Sequence, residues 1–120
     1  MNEYWTLGDL IDALKQRKQD QSVAFDFGYF VPCYLGSWRG VYAHLAIGYA
    51  NQGYDTVADF LRDLEKAVGA DFQGWKGGDY VMTRSTPVWV ANSGDANNTA
   101  VVGIARCDYQ TIIRTDWREW

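Results

Sequence analysis

Lys76 sits in the densest chemistry of the chain, the run Gly74-Trp75-Lys76-Gly77-Gly78-Asp79. Glycines leave the backbone free to aim several N–H groups at one anion, and a lysine adds charge to such a nest. The run opens a longer segment, Phe72 to Asn92, which also carries Tyr80, Arg84, Trp89 and Asn92. No Gly-Lys-[Ser/Thr] ending follows, so this is not a phosphate loop of the Walker type. Read without a ligand, the same run is a tight connection between a helix and a strand, plugged by Trp75.

A second constellation is Ser37-Trp38-Arg39-Gly40-Val41-Tyr42. Arginine offers a planar fork that matches phosphate or carboxylate, and a neighbouring ring can stack on a base. The bland alternative is an Arg39 paired with a local acid such as Asp26, with the aromatics in the core. Taken together, Arg39, Lys76 and Arg84 would hold charge. Tyr42, Trp75, Tyr80 or Trp89 would stack on a ring, and Asp79 and Asn92 would read polar edges. The ligand this set expects is small, anionic and nucleotide-like.

Catalytic chemistry has weaker support. Cys33 and His44 match a nucleophile and base by residue type only, and no Gly-x-Ser-x-Gly elbow is present. Asp26, Asp55, Asp71 and Asp79 are scattered along the chain. Two Cys and one His cannot complete a Cys/His zinc site without carboxylates, and they lack metal spacing. The expectation is a binding protein with no catalytic residues, no metal and no cofactor.

The elements that must position these residues can be read from periodicity. Thr6 opens a helix, with Asp9 suited to its positive end and Leu7, Leu10, Ile11 and Leu14 on one stripe. A second helix starts at Asp55 or Thr56, carries Val57, Phe60, Leu61, Leu64 and Val68, and stops at Gly69. The two openings share the pattern Thr-x-x-Asp, from duplication or from common capping grammar. Ser22–Phe27 alternates as a half-buried strand, with Val23, Phe25 and Phe27 on one face. Residues 29–40 read as an aromatic loop or broken strand, bounded by Gly and Pro. Leu45–Tyr49 reads as a strand, and Tyr80–Thr83 with Pro87–Ala91 as one interrupted strand. Thr99–Arg106 and Gln110–Thr115 make a hairpin. Trp117 and Trp120 end the chain and are expected to dock on the body or on a neighbour. The fold class is therefore α+β: two amphipathic helices packed on one face of a mostly antiparallel sheet of about five to six strands.

The totals bound the function. A chain of 120 residues is one domain, 1–120, large enough to hold a core without metal or disulfides. Six Trp, eight Tyr and five Phe exceed what a small core needs and point to a ligand pocket or an oligomer surface, so a homo-oligomer is expected. A net charge of −4 argues against general nucleic-acid binding, which needs a basic face. No run approaches the length of a membrane span. Met-Asn-Glu-Tyr-Trp-Thr lacks the features of a signal peptide, so a cytosolic protein with free cysteines is expected.

Three stretches carry a resemblance: Phe25-Asp26-Phe27-Gly28, Ser37 to Tyr49, and Gly74 to Asn92. In them the chain resembles a small family of uncharacterised proteins of tailed bacteriophages and prophages, from Leu7 to Ile113. That family has no established activity and lends no site residues. The resemblance implies a phage accessory protein in the host cytoplasm. Such a protein would sequester a nucleotide signal, bind and inhibit a host defence complex, or serve as a minor virion or assembly component.

Overall fold

The computed structural model describes residues 4–73 and 79–119. Helix α1 spans Leu7–Lys15. Its N-terminus is closed by a capping box: the Asp9 N–H donates to the Thr6 hydroxyl at 3.3 Å, and the Thr6 N–H donates to the Asp9 carboxylate at 3.0 Å. Helix α2 spans Val57–Ala67 and is capped by Thr56, which accepts from the Asp59 N–H at 3.2 Å. Gly69 follows in the left-handed region, φ 82°, the conformation that ends helices at glycine.

Eight strands complete the fold: β1 Ser22–Phe25, β2 Val31–Trp38, β3 Val41–Ala50, β4 Asp71–Gln73, β5 Asp79–Val81, β6 Val88–Val90, β7 Thr99–Arg106 and β8 Gln110–Trp117. Six of them form one sheet in the order β1-β8-β7-β6-β3-β2, and β4 pairs with β5 in a separate ribbon. The sheet is mixed. β2/β3, β6/β7 and β7/β8 are antiparallel, whereas β1/β8 and β3/β6 are parallel. Its two outer strands are consecutive in the chain. Gly28 (φ 61°) and Tyr29 (φ 58°) turn β1 back toward β2, and the Phe25 N–H donates to the Phe30 carbonyl at 2.9 Å. The sheet thus curls until its ends nearly meet, which shortens the exposed edges.

One alternative is decided and one expectation changes. Of the two readings of the aromatic segment, residues 31–38 take the second, a strand with breaks in its register. Pro32 is tolerated there because β2 is an outer strand, and register shifts at Pro32/Tyr34 and Ser37/Trp38 break the alternation that would have revealed it. Tyr80–Thr83 and Pro87–Ala91 do not form one strand. A turn at Thr83–Thr86, closed by the Thr86 N–H to the Thr83 carbonyl at 3.1 Å, sends β5 to the ribbon and β6 to the middle of the sheet.

The period of two along the strands sorts the core into two clusters. Leu45, Ile47, Val88, Val90, Val101 and Ile113 join the buried residues of both helices in the larger one. The alternate residues Ala46, Trp89 and Ala100 form the smaller one with Trp38 and Ala91. Among the described residues, no helix is long and apolar enough to cross a membrane.

Candidate functional site

A cleft of about 280 Å³ opens over the smaller cluster. Strand β2 contributes Tyr34, Gly36 and Ser37, the β2–β3 turn contributes Arg39, and β3 contributes Tyr42. The far wall is Asn92, Ser93 and Gly94. Tyr42 is there because β3 carries extra residues. Pairing passes from Trp38↔Val41 to Ser37↔Leu45, which leaves Tyr42, Ala43 and His44 without partners on β2. Such bulges re-aim side chains.

The far wall is a tight turn, with the Asp95 N–H donating to the Asn92 carbonyl at 2.9 Å and Gly94 at φ 90°. Three cleft residues tie it down. The Asn92 side-chain oxygen accepts from the Tyr49 N–H at 2.9 Å. Arg39 Nη1 donates to the Gly94 carbonyl at 2.7 Å. The Tyr34 hydroxyl accepts from the Ser93 N–H. Tyr34 lies flat over Gly48, where any Cβ would run into its ring. The turn is therefore held from both strands, and the charged Arg39 is positioned beside it.

Beneath the cleft, Trp38 and Trp89 stack with centroids 4.2 Å apart and planes within 14°. Trp89 is fully buried, and its indole N–H donates to His44 Nδ1 at 3.0 Å. The Trp38 indole donates to the Asn97 carbonyl at 3.0 Å. Burial pushes the His44 pKa down, so the ring is neutral and, accepting at Nδ1, carries its proton on Nε2. His44 therefore supports the stack. Cys33 lies instead in a separate shallow groove with Tyr54 and Asp63, where burial raises its thiol pKa. Burial and then the hydrogen bond to Asp63, 2.8 Å, likewise raise the Tyr54 phenol.

The nine residues singled out from sequence fall into groups. Arg39, Tyr42 and Asn92 line the one cleft. Tyr80 joins it from outside: its ring stacks on Tyr42 at 6.1 Å with planes 25° apart. Tyr80 and Asn92, from the Phe72–Asn92 segment, thus meet the aromatic segment around Arg39. Asp79 opens β5, its backbone opposite Gln73. Trp89 lies under the cleft, enclosed by Trp38 and by Tyr4 at 5.2 Å, with no face open for stacking. Arg84 sits against α1, donating to the Asp12 carboxylate at 2.6 Å and to the Gly8 carbonyl at 3.4 Å. Trp75 and Lys76 lie outside the described residues.

The bland partner suggested for Arg39 is otherwise engaged. Asp26 accepts from the Thr115 N–H at 2.9 Å and from its hydroxyl at 2.6 Å. Tyr34, Gly36 and Ser37 were not singled out from sequence. Recognising 31–38 as a strand would have placed Tyr34 and Gly36 on one face. Among the described residues, no group of three or more His, Cys, Asp or Glu side chains is placed to hold a metal ion. The chain matches no family model, no curated protein and no solved structure.

Proposed function

We propose that the cleft binds a small anionic, nucleotide-like ligand, and that the protein sequesters this ligand without transforming it. One observation carries the reading. Arg39, Tyr42 and Asn92, singled out for their chemistry from segments some fifty residues apart in the sequence, line the same cleft. Arg39 supplies positive charge at the rim, where its guanidinium donates to the Gly94 carbonyl at 2.7 Å. Tyr42, backed by Tyr80, offers a ring. Serine and asparagine groups supply polar contacts. In this reading both helices cover the opposite face of the sheet and leave this one to the ligand. The setting is a phage accessory protein in the host cytoplasm, removing a nucleotide signal of host defence.

Calorimetry against mono-, di- and cyclic nucleotides tests this directly. Binding should fall by at least about tenfold in Arg39→Lys, because an ammonium cannot reproduce a guanidinium fork. An absence of heat from every nucleotide at millimolar concentration would sink the reading.

A second reading has its own observation. Tyr29 is 97% exposed and Tyr109 80% exposed, and Tyr29 holds a left-handed conformation that costs a non-glycine residue of order 1 kcal/mol or more. These fit an inhibitor that docks on a host defence protein. Capture of one stoichiometric partner from host lysate, abolished by Tyr29→Gly, would favour it over ligand binding.

A further inference from the structure

Resting on the ligand-binding reading, we infer that the cleft selects a flat heteroaromatic ring, and that Gly36 is its specificity-determining residue. The floor of the cleft is made of the smallest side chains on three neighbouring strands. Gly36 is opposite Ala46 in the β2/β3 register, and Ala91 follows β6, its N–H donating to the Ile47 carbonyl at 3.0 Å. A Cβ built on Gly36 meets nothing within 4 Å. On the same pair of strands Gly48 is instead covered by the Tyr34 ring. The space over Gly36 is left empty by the protein itself.

Strands present alternate side chains to one face, so a floor of glycine and alanine is nearly bare pleated backbone. A planar ring is the ligand shape that covers such a surface with close contact. Tyr34 and Tyr42 line the cleft around it. The volume of about 280 Å³ lies just below the usual range of ligand sites, which runs from roughly 300 Å³ upward. It suits one base with its sugar phosphate rather than a linked dinucleotide.

Arg39, at the rim by Gly94, takes the phosphate.

The test is calorimetry of the full chain with adenosine, guanosine, cytidine and uridine monophosphates, and with ribose 5-phosphate as the same anion lacking a ring. At least one nucleotide should bind about tenfold or more tightly than ribose 5-phosphate, as expected when a stacked base is removed. Gly36→Val should abolish that preference without lowering the melting temperature, since its side chain enters open space on a strand. Equal affinity of wild type for nucleotides and ribose 5-phosphate would overturn the inference while leaving the anion site intact. So would nucleotide binding by a folded Gly36→Val at wild-type strength. Silence from every anion would instead remove the ligand-binding reading and this inference with it. The ribose 5-phosphate comparison needs no variant, so it decides even if Gly36→Val fails to fold.

Discussion

Replacing Trp89 by Phe isolates the support beneath the cleft. Trp89 is 0% exposed, and its indole N–H is the donor to a His44 that is itself only 8% exposed. Phenylalanine keeps a ring against Trp38 but removes the donor. His44 Nδ1 is then left as a buried acceptor without that hydrogen, which costs about 1–3 kcal/mol. The smaller ring also vacates volume beside Trp38 and Tyr4, for about 1 kcal/mol more where the surroundings relax only in part. The sum is roughly 2–4 kcal/mol, a large share of the ~5–15 kcal/mol stability of a small domain. Urea unfolding at pH 7.5 should show a lower midpoint with an unchanged slope, because the surface exposed on unfolding is nearly the same. The paired variant His44→Leu removes the acceptor, and a double-mutant cycle should find the two losses strongly non-additive. A Trp89→Phe loss below about 0.5 kcal/mol, or strict additivity with His44→Leu, would refute the reasoning.

Three further outcomes follow from the same geometry. Because burial holds the folded His44 pKa below its ordinary 6.5, the unfolded chain binds the proton more readily. Its contribution to stability is full above about pH 6.5 and is lost as pH falls through the lower folded value, so the urea midpoint should drop on acidification in wild type and less steeply in His44→Leu. Gly48→Ala places a methyl where the Tyr34 ring lies; it should evict Tyr34 from Ser93, cost about 1–3 kcal/mol as overpacking does, and weaken nucleotide binding, read by melting and calorimetry. Arg17 donates to Thr111 Oγ1 at 3.2 Å, to Gln21 Oε1 at 3.1 Å and to the Cys107 carbonyl at 2.8 Å. Arg17→Ala should cost about 2 kcal/mol, the range for hydrogen bonds to a charged group, and speed amide exchange around the β7–β8 turn.

What could be read from the sequence was what depends on near neighbours. Thr6 with Asp9 and Thr56 with Asp59 announce both helices, since capping is decided within three residues. The hairpin of β7 and β8 announces itself through Val101, Val102 and Ile104 and a polar turn. Strand β2 was legible only as one of two alternatives, a loop or a broken strand, because Pro32, Gly36 and two register shifts hide the period of two. The cleft was half legible for the same reason. Arg39, Tyr42 and Asn92 declare their chemistry by type, but Gly36 matters through the space above it, which only the β2/β3 register reveals. Trp89 and Trp38 look like available platforms in sequence; their stacking depends on β2 and β6 both flanking β3. Arg84 looks equivalent to Arg39, yet the turn before β6 carries it to Asp12 on α1. Of the terminal tryptophans, Trp117 stays 65% exposed, and Trp120 lies outside the described residues.

The most direct test of the ligand-binding cleft is an amide NMR titration of the wild-type chain with adenosine and guanosine monophosphates. Saturable shifts should concentrate at Gly36, Ser37, Arg39, Ser93 and Gly94, with Gly8 and Asp12 beside Arg84 unmoved. Spectra that stay unchanged at millimolar nucleotide, or shifts centred on Arg84 and α1, would contradict the account.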